Sequence, residues 1–227
     1  MVNIQEKKEY FYSKLEETGW DFIKDYVESP SFDNLLVKLI KQVEQGNRFT
    51  PKYKDVFNAF LECPYNKLKV VFIGQDPYPQ LNVADGIAFS CSVTNKEQPS
   101  LKFIFDELQK QYPEASRNPD LSRWSNQGVL LLNVALTVQI GKIGSHYTIW
   151  SDFTNYVLTE LSKRKDLIIV LLGKKAEEYQ LLFKDSNIVK ASHPASAAYR
   201  NGVWNSNLLF RTINNILIQQ EKEPIRW

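Results

Sequence analysis

The sequence predicts an α/β protein: a single domain on a central, mostly parallel four-stranded sheet with helices on both faces. Three observations predict it. Short apolar, β-branched runs recur along the chain; each stops at a glycine or a polar residue; helical periodicity fills the intervals between them. The 227 residues suit one core, because single cores grow to roughly 250–300 residues before chains split. No repeat, low-complexity tract or linker interrupts the chain, so one domain is expected over 1–227.

The first sixty residues read as helical. Trp20-Asp21-Phe22-Ile23 and Leu35-Leu36-Val37-Leu39-Ile40 place apolar groups at helical spacing. The pattern breaks near Phe49-Thr50-Pro51, and Val56-Phe57-Phe60-Leu61 suggests one short helical turn. Leu68 to Gly74 is a buried strand closed by a sharp turn. Pro99-Ser100-Leu101 opens a helix with Ser100 as its expected N-cap and Leu101, Ile104, Phe105 and Leu108 on its apolar face. Val129–Leu132 is a second strand, stopped at Asn133. Phe153, Val157, Leu158 and Leu161 mark a helix, Leu167–Leu172 a third strand, Ile188–Ala191 a fourth, and 208–219 a final helix.

Composition narrows the function. With 43% hydrophobic and 24% charged residues the chain is that of an ordinary globular protein. No run of about 18 apolar residues and no secretory signal appear, so a cytoplasmic or nucleoid location and no membrane partner are expected. Cys63 and Cys91 lie far apart, which argues against a metal or iron–sulfur cluster. A net charge of +2 is too small for a tail-driven nucleic-acid binder, so any such binding must rest on local placement of Lys, Arg and backbone amides.

In open parallel sheets ligands bind beyond the carboxyl ends of the strands. Gln75-Asp76, Asn133 and Ser192-His193-Pro194 sit at such ends and should converge on one pocket. Asp76 is either an Asx-type turn residue or a carboxylate that orients water or stabilises a cation. Pro77 and Pro79 stiffen the turn on either side of Tyr78. Asn133 either ends a strand or reads a nucleobase edge, since its amide both donates and accepts. Phe89 is core or a stacking plate. His193 is structural or a neutral donor toward developing negative charge. No Ser or Cys nucleophile with a paired base is visible, and Gly173-Lys174-Lys175 lacks the phosphate-loop spacing. Carboxylate, amide, imidazole and aromatic plate together fit removal of a base through an oxocarbenium-like sugar cation.

Gly74 to Pro79, Gly86-Ile87-Ala88-Phe89-Ser90, Pro99-Ser100-Leu101-Lys102, Gly128 to Asn133 and Ser192-His193-Pro194 resemble the ordered motifs of family 1 uracil-DNA glycosylases. The likeness runs from about Trp20 to Pro224-Ile225-Arg226-Trp227. It implies that Asp76 and His193 are catalytic, Asp76 positioning water and His193 bonding uracil O2. It implies that Asn133 reads the N3 and O4 edge, Phe89 stacks on the flipped base, Tyr78 blocks the thymine methyl, and amides near Gln75 hold O2. It implies that Ser100, Ser192 and nearby amides grip phosphates; the expected DNA-binding set is Pro99, Ser100, Ser192, Ser196, Ala197, Tyr199 and Arg200. No metal and no cofactor are implied.

Two departures stand out. The family's usual motif ends in His where this chain has Pro79, and Ala197 replaces the leucine that props the emptied base stack. The wedge role is therefore expected to pass to Tyr199 or Arg200. Both departures resemble the poxviral members, which double as polymerase partners. The expected partner is uracil-containing single- and double-stranded DNA, bound by a monomer, with a proteinaceous inhibitor or a replication protein as further partners. A weakly catalytic or non-catalytic DNA-binding replication accessory of the same fold is the competing reading. A mismatch enzyme acting on thymine is disfavoured by Tyr78.

Overall fold

The computed structural model describes residues 4–199, 202 and 204–227, with side chains omitted for 198 and 199. The chain opens with α1 (Ile4–Leu15), α2 (Asp21–Glu28) and α3 (Pro30–Glu44). Ser29 caps α3, its Oγ accepting the Phe32 N–H at 3.4 Å, and Pro30 sits where a missing N–H costs nothing. There follow β1 (Phe49–Thr50), α4 (Asn58–Leu61), β2 (Val70–Gly74), α5 (Pro99–Gln111), α6 (Ser122–Ser125) and β3 (Val129–Asn133). The remainder is β4 (Val138–Gln139), α7 (Tyr147–Ser162), β5 (Ile168–Leu172), α8 (Lys174–Glu177), β6 (Asn187–Ala191) and α9 (Leu209–Gln219). A 3₁₀ helix, Pro194–Tyr199, follows β6.

The main sheet runs β3-β2-β5-β6, and every neighbouring pair is parallel. The expected four strands are therefore present, each within two residues of its predicted limits. Two local features differ from expectation. β1 and β4 pair as a two-residue antiparallel ribbon, too short to leave a periodic signal in the sequence. The cap of α5 is Gln98 and not Ser100. Pro99 explains the shift, because proline is favoured at the first helical position, which puts Ser100 one residue inside the helix.

β2, β3 and β5 are buried along their whole length. Alternation then sends Val71, Ile73, Leu130, Leu132, Ile169 and Leu171 into one core, where α1, α2, α3 and α7 pack. Val70, Phe72, Leu131, Ile168 and Val170 enter a second core, closed by α5, α9 and the chain end. There the Trp227 ring lies edge-on to Phe210 and Trp124, with centroids 5.1 and 5.2 Å away. The first core is anchored by Trp20, fully buried, whose Nε1–H donates to the carbonyls of Phe60 and Cys63 at 3.0 and 2.9 Å. Among the described residues no helix is long and apolar enough to cross a membrane.

Replacing Trp20 by Ala removes a large buried ring and orphans two carbonyls, which should cost about 3–5 kcal/mol. Urea unfolding of the variant checks this; a loss below about 1 kcal/mol would show that the site collapses around the missing ring.

Candidate active site

The parallel register sets Gly74, the last residue of β2, beside Asn133, the last of β3. A Cβ at Gly74 would meet Asn133 Oδ1 at 2.7 Å and the Phe89 ring at 3.4 Å. Glycine is thus what lets an amide and an aromatic ring close over the strand end. The Val134 and Ala135 N–H groups donate to the carbonyls of Gly74 and Gln75 at 3.1 and 3.0 Å, stitching the two segments together beyond the sheet. The result is a cavity of about 180 Å3 lined by Gln75, Asp76, Tyr78, Phe89, Asn133 and His193. The six base- and bond-directed residues expected from the sequence do converge there. Pro77 and Pro79 complete the wall.

Asp76 does not serve as a local turn residue. Its Oδ2 accepts the Gly144 N–H at 2.6 Å, from a residue 68 positions along the chain. The loop that supplies this donor is itself tied down. Gly141 donates to the Pro79 carbonyl at 2.9 Å, and Gln139 N–H donates to Ser145 Oγ at 2.9 Å. One carboxylate oxygen is thereby fixed. Burial raises the Asp76 pKa and the Gly144 bond opposes that rise.

Phe89 owes its position to a residue that motif reasoning passed over. Asp85 is buried, and its carboxylate accepts from Ile87 N–H at 3.1 Å, Ser90 Oγ at 2.6 Å, and Ser92 N–H and Oγ at 2.9 and 2.8 Å. These bonds wind the 85–92 segment into a compact loop in which Phe89 adopts φ +67°. That conformation is unusual for a bulky residue and persists only when its surroundings hold it. At Gly86, φ +92°, a Cβ would lie 1.7 Å from the Asp55 carbonyl oxygen, so no other residue fits. Tyr78 is pinned in turn: its hydroxyl donates to the Phe89 carbonyl at 2.9 Å.

His193 approaches Gly173, at the end of β5, so closely that a Cβ there would sit 2.8 Å from His193 Cβ. The Ala195 N–H donates to Nδ1 at 3.2 Å. Nδ1 is therefore the acceptor nitrogen, and the proton of the neutral ring resides on Nε2. Burial lowers the His193 pKa from 6.5, so the ring is neutral at pH 7. The Phe89 and His193 ring centroids are 5.9 Å apart. The other histidine, His146, is structural. It is buried against Thr137, whose Oγ1 lies 2.8 Å from Nδ1, and desolvation drops its pKa to about 4.

The expected DNA-binding set divides. Ser100 lines the cavity, and exposed Pro99 precedes it at the start of α5. Ser192 and Ser196 flank His193, with Ser196 Oγ donating to Ser192 Oγ at 3.3 Å. Ala197 departs from expectation: it is fully buried in the second core. A methyl group is small enough to turn inward where a leucine would protrude, so Ala197 presents no surface to DNA. The side chain of Tyr199 and all of Arg200 lie outside the described residues. Ile143, which motif reasoning also passed over, is a 68% exposed aliphatic on the cavity rim beside Gly144. Among the described residues no group of three or more His, Cys, Asp or Glu is placed to hold a metal ion.

A carboxylate, a neutral imidazole, a side-chain amide and an aromatic ring thus share one small cavity at the strand ends. The chain belongs to the uracil-DNA glycosylase superfamily, whose family model matches residues 60–218. It is 36% identical over 216 residues to the uracil-DNA glycosylase of Proteus mirabilis (strain HI4320), covering 92% of this chain and 95% of that protein. It is 38% identical over 219 residues to that of Desulfitobacterium hafniense (strain DSM 10664 / DCB-2), covering 94% and 96%. The crystal structure of mimivirus uracil-DNA glycosylase superposes with a TM-score of 0.86 at 28% identity, covering 100% of this chain and 89% of that one. A Y322L form of the mimivirus protein superposes equally well, at 0.86, and was crystallised in complex with UGI.

The raised pKa of Asp76 carries a stability consequence. The folded state binds the Asp76 proton more readily than the unfolded chain does, so above the folded pKa the ionised carboxylate destabilises the fold. Asp76→Asn removes that cost and keeps an acceptor for Gly144. Its melting temperature should exceed the wild-type value at pH 7. The difference should vanish as pH falls below the ordinary carboxylate value of 3.8. A less stable variant at pH 7 would contradict the burial argument.

Proposed function

We propose that this protein excises uracil from DNA by hydrolysing the N-glycosidic bond of a flipped nucleotide. One observation carries the reading: the Nε2-protonated, neutral His193 and the Gly144-anchored Asp76 open onto the same small cavity. With the base against Phe89, His193 Nε2–H donates to uracil O2. The C1′–N1 bond then breaks with its electron pair on the base, giving a uracil anion and an oxocarbenium-like sugar. Ionised Asp76 stabilises that cation, orients water toward C1′ and takes the proton that the water loses. Asn133 pairs with the N3–H and O4 edge, which cytosine does not present. Tyr78, held at its hydroxyl by the Phe89 carbonyl, is a wall that does not swing aside for the thymine methyl.

The substrate is uracil-containing DNA, single- or double-stranded, and flipping from a duplex costs a few kcal/mol. Pro99, Ser100, Ser192 and Ser196 hold its backbone, and amides near Gln75 support O2. A monomer acting in the cytoplasm belongs to the same reading. So does a proteinaceous inhibitor as partner, since the mimivirus relative forms a complex with UGI. With Ala197 turned inward, the wedge falls to Tyr199 or Arg200. Their Ala variants should lose excision from duplex and keep it on single strands; unchanged rates for both would remove the wedge assignment.

The deciding assay incubates the protein with uracil-containing oligonucleotides and cleaves abasic sites with alkali. Cleavage is expected with both single-stranded and duplex substrates. Asp76→Asn should reduce it by about 100- to 10,000-fold and His193→Ala by about 100- to 1,000-fold. Asn133→Asp should gain action on cytosine. No cleavage by the wild-type protein on either substrate would leave a non-catalytic DNA-binding accessory. Catalysis requires ionised Asp76 and neutral His193. As burial has lowered the His193 pKa below 6.5, the acid limb of kcat/KM should have its midpoint below that pH; a midpoint at 6.5 or above would mean that burial does not lower the His193 pKa.

A further inference from the structure

At the pole of the sheet opposite the cleft, the segments leading into β2, β3 and β5 line a larger, open groove of about 820 Å3. Five basic side chains line it, Lys67, Lys69, Arg164, Lys222 and Arg226, against two acidic ones, Asp166 and Glu223. Asp166 is committed internally. Arg164 Nη2 and Lys222 Nζ meet it at 2.8 and 2.9 Å and hold its carboxyl far below the ordinary range. Lys67 and Arg226 are exposed, and neither forms an ion pair with a described residue. Lys69 is half-buried, and its Nζ donates to a backbone carbonyl, that of Glu223, at 3.1 Å. Burial lowers its pKa, with Glu223 opposing and the Lys222 charge adding to the fall. Three cations thus converge on one concavity without a carboxylate in contact.

We propose that this basic groove is a docking site for a short acidic peptide segment of a partner protein. Its shape favours a peptide over a nucleic-acid duplex. A duplex displays its phosphates on a convex cylinder, whereas a concavity of this volume lies in the range that encloses a small ligand or a few residues of chain. DNA held at the catalytic cleft does not reach it either, because the five-residue strands separate the two poles by roughly 16 Å. Exposed Asn66 and Asn126 on the rim offer amides to a peptide backbone. An incoming carboxylate would stabilise the charge of Lys69 and supply the missing partners of Lys67 and Arg226.

Fluorescence anisotropy of a fluorescein-labelled hexa-aspartate peptide, titrated with the full chain at low salt, tests the site. Saturable binding is expected, weakened at least about tenfold by Lys67→Glu with Arg226→Glu. Both side chains are exposed, so that variant should fold and excise uracil at the wild-type rate. Lys69→Gln should weaken binding independently. Equal affinity for a hexa-asparagine peptide, or unchanged binding by the double variant, would overturn the proposal. So would displacement of the peptide by a uracil-containing oligonucleotide, or tighter binding of single-stranded hexathymidylate that the same substitutions abolish.

Discussion

Parallel pairing of β2 with β3 brings Gly74 level with Asn133, and the missing side chain at Gly74 decides what can assemble above the strand ends. A single methyl there would collide with the Asn133 amide and press on the Phe89 ring, two groups that wall the cavity. Gly173 repeats the device under His193. The pocket is therefore built by removing side chains at two strand ends, which lets polar groups from distant segments meet over the backbone.

The electrostatics follow from the same enclosure. Burial raises the pKa of a carboxylic acid and lowers that of an imidazole, so one low-dielectric cavity moves Asp76 and His193 toward each other on the pH scale. At neutral pH the carboxylate remains ionised and the imidazole remains neutral. That combination suits a leaving base that gains negative charge and a sugar that gains positive charge. The hydrogen bonds from Gly144 and Ala195 engage one atom of each group and leave the other without a donor among the described residues.

Much of this was legible in the amino-acid order, for identifiable reasons. Strands buried on both faces must read as unbroken apolar runs, so β2, β3 and β5 were visible, and the polar residues stopping them marked the cleft. Groups acting through backbone bonds left weaker traces. Gly144 contributes only an N–H, which no side chain announces. Asp85-Gly86 reads as an ordinary turn dipeptide, and its four hydrogen bonds become apparent only in three dimensions. The replacement of a leucine at Ala197 was visible as a departure, but its inward direction was not, because a methyl group is compatible with either face. The cap of α5 was misplaced by two positions, at Ser100 and not Gln98, since proline and serine compete for the start of a helix.

The tether on Tyr78 has a mechanical consequence. Its hydroxyl donates to the carbonyl of Phe89, a residue that stands at φ +67° in the loop wound around the Asp85 carboxylate. Two walls of the cavity are therefore joined by one hydrogen bond, and the 75–79 turn and the 85–92 loop cannot be displaced independently of each other.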